Sequence, residues 1–342
     1  MGRERGLAAL NLQPTDRVPH TEYVSHNRLV ERVTGRRPED DGSAYGEFLK
    51  AWDFDIVWSS YDPPLKGRMT NMGHAVYADG GVDFDANIYC PFHTEEDVLS
   101  FDAAKEYGVP KVEDLVKLYS EHYTKARQSV PTVAYPGGHY KTVVSFCIAA
   151  FGWEMFLRAL GTDPKRFEKV LDSMMEINKV AFEAWAKLEL DFFICHDDMV
   201  WTEGAIFHPD WYRKSVFPRF KMLWRPLIEK GTKILFCSDG NFTEFVDDIA
   251  DCGASGFIFE PLTSLEYIAS RYGKTHVIVG NVDTRVLTFG TREQIKAEVE
   301  RCMKIGKPLP GYFIAVGNHI PCNVPVENAL YYYDLIRELG KR

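Results

Sequence analysis

Strand-like and helix-like patterns alternate along most of this chain of 342 residues. Apolar runs such as Asp191–Cys195, Gly256–Phe259 and Tyr312–Val316 each lead into a short polar turn, and a helical pattern follows. Roughly eight such units follow one another without a linker rich in Gly, Ser or Pro. This alternation predicts an α/β fold in which residues 1–342 form one domain, a single (β/α)8 TIM barrel, rather than a doubly wound sheet. A Gly-x-Gly-x-x-Gly turn after an early strand, typical of dinucleotide-binding folds, is absent from the sequence.

Two additions to the barrel are expected. An amphipathic pattern over residues 3–12 predicts an N-terminal helical extension. Alternation over Thr70–Asp85, with Asp79-Gly80-Gly81 as its turn, predicts a hairpin insertion. Helix starts are indicated by the capping-box pattern Thr94–Asp97 and by Asp163, which stands before a proline.

Composition and charge argue against several classes of protein. The formal net charge of −9 and the isoelectric point near 5.6 disfavour a nucleic-acid partner or an anionic membrane surface. We expect no run long and apolar enough to span a membrane and find no secretory apolar core at the start, so the sequence predicts a cytoplasmic protein. The seven scattered cysteines are expected to be reduced thiols, some of them available to a metal. The sequence leaves the oligomeric state open, with a homodimer as one option.

Polar residues gather where the predicted strands end. In a (β/α)8 barrel the carboxyl ends of the strands surround one mouth, where ligands bind. The residues at or just after these ends are Glu22, His139, His196, Asp197, Asp198, Cys237, Asp239, Glu260, Asn281, Asp283 and His319. A single Asp at such a position is often only a turn residue or a helix N-cap, and Asp283 before Thr284 fits that interpretation. The convergence of so many polar groups still favours an enzyme active site at this mouth.

The stretch Lys233–Asn241 carries the most specific chemistry. Its buried strand ends at Cys237, and Asp239 follows two residues later. A thiol has no capping function, so Cys237 is either an inert buried residue or a ligand. Together with His319, these side chains offer S, O and N donors for zinc and leave one position open, as a catalytic zinc site requires. Further candidate ligands are Glu260, His196 and Cys322.

Several motifs resemble the uroporphyrinogen decarboxylase superfamily. The segments Glu4–Pro19, Lys233–Gly240, Val279–Thr291 and Pro325–Asn328 occur in the order expected of its members, so the likeness covers essentially the whole chain. The resemblance implies a (β/α)8 barrel. True decarboxylases carry an Arg-Gln-Ala-Gly-Arg-type stretch that binds propionate carboxylates, whereas this chain has His20–Arg28 in that region. Because those basic residues are missing, decarboxylation of a tetrapyrrole is not expected.

The other large branch of this superfamily comprises zinc-dependent methyltransferases that serve corrinoid proteins. Members that act on coenzyme M carry His-x-Cys at the central strand end and a later Gly-Cys; here these positions hold Cys237 with Asp239 and Gly317 with Asn318, next to His319. Oxygen and nitrogen ligands make a metal harder and more Lewis-acidic, which suits an ether or amine leaving group better than a thiol. The resemblance therefore implies a methyltransferase I of the O-demethylase type. Such an enzyme moves a methyl group from a small methylated donor, for example a methoxylated aromatic, to the Co(I) corrinoid of a partner protein.

The resemblance and the strand-end residues together suggest individual roles. The expected zinc ligands are Cys237, Asp239 and His319, with Glu260 in reserve. The expected catalytic groups are His196, Asp198 and Asp239, of which the first two would supply or orient a general acid. The candidates for substrate binding are His139, Glu22, Trp201 and Tyr61. Trp58, Phe146 and Phe151 are further aromatic candidates for the pocket, although each also suits the core.

Three alternatives stay open. The chain could be a metal-independent decarboxylase or lyase that acts on a small acid, a methylcobamide:thiol methyltransferase, or a non-catalytic binding protein of the same fold. Ether O-methyl and quaternary N-methyl donors cannot be separated without the geometry of the pocket.

Overall fold

The computed structural model describes residues 2–72, 75–78, 81–84 and 88–342. In this part of the chain the α-helices are α1 (Gly2–Leu10), α2 (Asn27–Thr34), α3 (Ala44–Ala51), α4 (Glu95–Leu99), α5 (Ala103–Tyr107), α6 (Val112–Ser129), α7 (Val144–Thr162), α8 (Pro164–Ala186), α9 (Pro209–Trp211), α10 (Phe217–Glu229), α11 (Val246–Asp251), α12 (Leu265–Tyr272), α13 (Thr284–Phe289), α14 (Arg292–Gly306) and α15 (Val326–Leu339). The strands are β1 (Val24–Ser25), β2 (Ala75–Ala78), β3 (Gly81–Phe84), β4 (Pro136–His139), β5 (Phe192–His196), β6 (Val200–Trp201), β7 (Gly204–Ala205), β8 (Ile234–Ser238), β9 (Gly256–Phe259), β10 (Val277–Val279), β11 (Tyr312–Phe313) and β12 (Ile320–Pro321).

A six-stranded parallel sheet in the order β4–β5–β8–β9–β10–β11 forms the centre of the molecule. Two further segments join its ends. His20 forms a parallel bridge with Ile314, which follows β11, and Ile56 forms one with Ala134, which precedes β4. The N–H of Asp55 donates to the carbonyl oxygen of His20 at 2.9 Å and so links these two segments. Eight parallel segments therefore follow one another in the order of a (β/α)8 barrel, which confirms the predicted fold class.

The barrel interior is filled by alternate residues of the strands. Ile194 of β5 and Cys237 of β8 belong to one apolar cluster with residues from the neighbouring strands. Successive side chains of a strand point to opposite faces of the sheet, so residues two positions further on continue the same rows. His196 and Asp239 occupy those positions at the carboxyl ends of the strands. The period of two thus decides which polar residues reach the mouth.

Helix α1 confirms the predicted N-terminal extension and lies across the amino ends of the strands. The N–H of Arg3 donates to the carbonyl oxygen of Thr132 at 2.6 Å, and the Arg5 guanidinium pairs with the buried carboxylate of Asp55 at 2.7 Å. A Cβ atom at Gly6 would overlap the carbonyl oxygen of Asp55, so only glycine allows the helix to pack this closely. Arg5 and Gly6, which belong to the segment Glu4–Pro19 of the superfamily resemblance, therefore hold α1 against the barrel.

The predicted hairpin insertion is confirmed. Strands β2 and β3 are antiparallel, with Ala78 opposite Gly81. The predicted turn residues Asp79 and Gly80 lie outside the described residues. The predicted helix starts are also confirmed, because Thr94 forms a capping box and Asp163 accepts a hydrogen bond from a backbone N–H in the first turn of α8.

Three segments depart from the patterns in the sequence. The patterns of Val18–Val24 and Phe54–Ser59 predict strands, but apart from β1 these segments form only short bridges, because few of their residues pair with the neighbouring segments. The pattern of Pro209–Lys230 predicts one long helix, but the structure has a π-helical segment, Tyr212–Val216, between α9 and α10. Pro218 lacks the N–H that would continue the α-helical hydrogen-bond pattern, which favours the wider turn before it.

One helix contradicts the expectation that no segment is long and apolar enough to span a membrane. Helix α7 is long and apolar enough to pass that test, and 61 % of its apolar window is buried inside the protein. A core helix with neighbours on several sides has this character, because it must be apolar nearly all round.

A buried histidine caps helix α2 and gives the fold a testable pH dependence. Nδ1 of His26 accepts from the N–H of Leu29 at 3.2 Å, so Nε2 carries the hydrogen and donates to the carbonyl oxygen of Val324 at 2.8 Å. Burial lowers the pKa of His26 below its usual value. Protonation would place a second N–H against that of Leu29. The cap is therefore fully present above about pH 6.5 and is lost as the pH falls through the lower pKa of the folded protein.

We expect His26→Asn to reduce the acid sensitivity of the fold, because asparagine also caps helices but does not titrate. Urea unfolding of both proteins at about pH 7.5 and about pH 5.5 should show a smaller loss of unfolding free energy in the variant. His208→Asn is the matched control, since His208 caps α9 but is exposed. Equal pH dependence in the wild type and His26→Asn would contradict this role.

Candidate functional site

The site begins where β5 and β8 end side by side. His196 and Cys237 are register partners on these strands, and each shifts the pKa of the other. Nε2 of His196 also lies 3.0 Å from Oδ1 of Asp198, two residues along the chain. Burial tends to lower the pKa of His196, but the neighbouring Cys237 and Asp198 outweigh it and raise the pKa well above its usual range. The His196–Asp198 pair can therefore hold a proton at the mouth of the barrel.

Asp198 is the best-connected carboxylate of the site. Its Oδ1 also accepts from the backbone N–H of Asp239 at 3.0 Å, and its Oδ2 accepts from the hydroxyl of Tyr140 at 2.8 Å. Burial opposes ionisation, but His196 and these donors lower the pKa of Asp198 to about 2. Asp198 thus joins three segments that lie far apart in the sequence.

For Asp239 the attraction of the nearby His196 is outweighed by other effects. Burial comes first among the causes that raise its pKa to about 7, followed by repulsion from the carboxylates of Asp198 and Glu260. Glu260 in turn accepts from the N–H of Gly240 at 2.8 Å and from the side-chain amide of Asn318 at 2.9 Å. A cation at this position would relieve the repulsion among the three carboxylates.

Three of these residues have the spacing of metal ligands. The candidate ligand atoms of His196, Asp198 and Asp239 all lie within 4.8 Å of one another. One ion could contact all three after small side-chain shifts, since zinc binds N and O ligands at about 2.0–2.2 Å. Of the expected ligands Cys237, Asp239, His319 and Glu260, this cluster contains Asp239, and it also contains His196, which was a further candidate.

The other predicted ligands lie near this cluster but outside it. Cys237 borders the same cavity and is 7 % exposed. Nδ1 of His319 lies 2.5 Å from Oδ1 of Asn318, and its ring contacts that of Tyr23 at 5.9 Å between centroids. Glu260 reaches the site through its bond to Asn318. The roles of Cys237, His319 and Glu260 as ligands stay predictions.

A cavity of about 420 Å³ opens above these groups. Its walls are aromatic at Tyr23, Trp58 and Tyr140 and aliphatic at Ile194 and Ile258. Ser59, Ser60 and Ser238 supply hydroxyl groups, while His196, Cys237 and Asp239 form its reactive side. No Lys or Arg lines this cavity in the part of the chain that the structure describes.

The predicted substrate-binding residues have other described contacts. His139 is buried, with Nε2 3.1 Å from Oδ1 of Asn178 and Nδ1 3.3 Å from Asp62. Glu22 is buried and accepts from the N–H of Val316 at 2.8 Å. The ring of Tyr61 stacks on His122 at 3.8 Å, and Trp201 is 53 % exposed beside Trp153. Their roles in binding stay predictions, as do those of Phe146 and Phe151, which are fully buried in the core.

The side chain of Asp197 points to the opposite face of the sheet from those of His196 and Asp198. Its Oδ2 accepts from the N–H groups of Val143 at 2.8 Å and Val144 at 3.1 Å, and its Oδ1 from that of Ser145 at 2.6 Å. Val143 has no side-chain oxygen to cap α7, so Asp197 caps this helix from a distant strand. Burial raises its pKa to about 6 even though the three N–H donors oppose this shift. This carboxylate is structural.

Sequence reasoning did not identify Tyr140, Tyr23, Ser59, Ser60 or Ser238. Tyr140 directly follows the end of β4, so its place at a strand end was a usable signal. Ser238 ends β8 and carries the same signal, whereas Ser59, Ser60 and Tyr23 lie in loops, where polar residues are common. Asp283 acts as the predicted cap, accepting from the N–H of Arg285 at 2.8 Å.

A model of the uroporphyrinogen decarboxylase (URO-D) family matches residues 141–339, more than half of the chain. The chain belongs to the uroporphyrinogen decarboxylase family. It is therefore a member of an enzyme family, and the resemblance seen in the sequence is confirmed at this level. The matched region contains β5, β8 and β9 and thus most of the site.

Curated relatives are distant. The uroporphyrinogen decarboxylase of Syntrophotalea carbinolica is 24 % identical over 253 residues, which cover 73 % of this chain and 71 % of the relative. That of Carboxydothermus hydrogenoformans is 24 % identical over 239 residues, with 69 % and 65 % covered. Among solved structures, a methyltransferase from Methanosarcina mazei aligns over 98 % of both chains with a TM-score of 0.64 and 20 % identity. This last likeness shows a shared fold.

Proposed function

We propose that the protein transfers a methyl group from a small methylated donor, a methoxylated aromatic, to the Co(I) corrinoid of a partner protein. The observation that carries the proposal is the cluster of His196, Asp198 and Asp239, which joins an expected zinc ligand, Asp239, to a proton-holding pair, beside a cavity without a Lys or Arg lining residue among those described. The fold shared with a methyltransferase from Methanosarcina mazei agrees with it.

The charge of the cavity argues against tetrapyrrole decarboxylation. A substrate with many carboxylates needs Arg or Lys partners, which pair with carboxylates in charge-assisted hydrogen bonds. Within the described residues the cavity offers instead aromatic rings, hydroxyl groups and Asp239. Membership of the family therefore does not by itself give this chain the activity after which the family is named.

The donor atoms of the expected ligands suit a zinc ion, and Cys237 and His319 would have to move toward Asp239 to bind one, because they lie outside the cluster whose ligand atoms are within 4.8 Å. Cys237 and Asp239 offer a thiol and a carboxylate at the end of β8, and His319 is the nitrogen ligand that the resemblance implies. Bound there, zinc would act as a Lewis acid toward the donor oxygen. We assign His196 to proton donation rather than to the metal, because its Nε2 already lies 3.0 Å from Asp198. A carboxylate so placed orients an imidazole for acid catalysis.

Cleavage of an aryl methyl ether requires a group that can protonate the aryl oxygen. The electron pair of Co(I) forms the new bond to the methyl carbon, and the pair of the broken C–O bond stays with the aryl oxygen. The His196 imidazolium can pass its proton to that oxygen, so the product leaves as a neutral phenol. Asp198 stabilises the charged imidazole before the transfer, and Tyr140 holds Asp198 in place through its hydroxyl.

Zinc content is the first test. We expect about one zinc per chain in the purified wild type by elemental analysis and a clear loss in Cys237→Ala. Methoxylated aromatics would then be screened with a Co(I) corrinoid acceptor, whose absorbance changes on methylation. Zinc-free wild-type protein without methyl transfer would favour the metal-independent lyase, the activity class of the curated relatives. Methyl transfer to a thiol alone would favour the methylcobamide:thiol methyltransferase.

A further inference from the structure

The cavity differs in charge from a site for an organic acid. Among the described residues, the only carboxylate that lines it is that of Asp239, and Glu260 nearby accepts from the N–H of Gly240. Arg285, whose charge also acts on Glu260, is held by Asp283 with contacts of 2.7–3.1 Å and does not line the cavity. Among the described lining residues the only cation is the imidazolium of His196, which is already paired with Asp198, so an anionic group on a ligand would meet carboxylates without a further compensating charge.

The remaining walls suit an uncharged ring. Trp58 and Tyr140 present aromatic surface, Ile194 and Ile258 present aliphatic surface, and Ser59 can hydrogen-bond a ring hydroxyl. A cavity of about 420 Å³ accommodates one substituted ring. Shape and polarity thus agree with a small aromatic molecule.

We propose that the methyl donor is a methoxylated aromatic that carries no carboxylate or other anionic substituent. This inference rests on the proposed function and narrows its substrate class. The proposed function already assigns an aryl methyl ether as the donor, and the charge of the cavity walls restricts the other groups that its ring carries.

Binding can be measured without the corrinoid partner. Calorimetric titration of the purified protein, with its zinc content determined, would compare 2-methoxyphenol with 4-methoxybenzoate. The para position keeps the carboxylate away from the methoxy oxygen and hence from the metal. We expect saturable binding of 2-methoxyphenol and at least about tenfold weaker binding of 4-methoxybenzoate.

A charge-introducing variant makes the test sharper. Ser60 is exposed and lines the cavity, so Ser60→Arg should strengthen the binding of 4-methoxybenzoate by about tenfold or more. Ser270→Arg is the matched control, because Ser270 is exposed on α12, away from the cavity lining, and should leave the affinity for 4-methoxybenzoate unchanged. Thermal unfolding of both variants would establish that they are folded.

The outcomes separate this inference from the proposed function. Equal binding of both ligands by the wild type, or binding of neither, would overturn the inference. Tighter binding of phenyltrimethylammonium than of the uncharged tert-butylbenzene would overturn it in favour of an N-methyl donor. Binding of 2-methoxyphenol without methyl transfer would contradict the proposed function but leave the charge selectivity intact. Methyl transfer from 4-methoxybenzoate but not from 2-methoxyphenol would support the proposed function and overturn the charge selectivity.

Discussion

Asp239→Asn is expected to lower the zinc content from about one per chain to a small fraction and to abolish methyl transfer. Asp239 belongs both to the ligand set implied by the superfamily resemblance and to the cluster whose ligand atoms lie within 4.8 Å. Asparagine keeps the shape of the side chain but lacks the negative charge, which contributes most to the binding of zinc. Changes to residues behind a ligand typically cost 10–100-fold in metal affinity, so loss of the ligand itself should cost at least about 100-fold.

Two matched variants make the result specific. Asp283→Asn removes another strand-end carboxylate, but one that caps α13, so zinc content and methyl transfer should stay at wild-type levels. His196→Gln should keep its zinc and lose methyl transfer by about 10²–10⁴-fold, the usual contribution of a general acid. Zinc loss in His196→Gln would instead place this histidine among the ligands. Full zinc content and activity in Asp239→Asn would contradict the proposed site.

Asp197→Ala is expected to cause the largest loss of stability. The change leaves three N–H groups at the start of α7 without their acceptor in a region where Asp197 itself is fully buried. Hydrogen bonds to a charged group contribute about 1.5–3 kcal/mol each, and neighbouring bonds are not additive. We expect a decrease of about 3–5 kcal/mol in the free energy of unfolding, measured by urea denaturation followed by circular dichroism.

Such a loss is a large part of the stability of an ordinary domain, so a milder variant is needed. Asp197→Asn keeps one acceptor oxygen but turns an NH2 group toward a backbone N–H, and should cost about 1–3 kcal/mol. Asp163→Ala removes a local, partly exposed cap of the neighbouring helix α8 and should cost about 1 kcal/mol. If Asp197→Ala cost no more than Asp163→Ala, the long-range cap would be unimportant.

The sequence was sufficient for the architecture because its signals are local. The alternation of apolar runs and helical patterns gave the barrel and its hairpin, and the caps at Thr94 and Asp163 depend only on residues three positions apart. The first two barrel segments were less predictable, since single bridges depend on neighbours that are distant in the chain. The π segment before Pro218 likewise lay inside an otherwise regular helical pattern.

The site was only partly accessible from the sequence. Strand-end position singled out His196, Asp198, Cys237 and Asp239, and the period of two places them on the inner rows of the barrel. The same reasoning could not separate Asp197 from its neighbours by role, because its task depends on the start of α7, more than 50 residues earlier in the chain. Tyr140 was missed although it directly follows β4, because its partner Asp198 lies after another strand, β5.

The sequence by itself determined the fold class, the family and the inner-facing polar residues, since these follow from local periodicity and motifs. Only the tertiary structure decided which of these polar side chains lie in contact. The parallel register of β5 and β8 places His196 beside Cys237, and the bond from the N–H of Asp239 to Asp198 brings their carboxylates together. Register and side-chain contact depend on how all eight segments pack around one core. Local sequence patterns do not contain that information, because each strand is placed by its neighbours across the sheet.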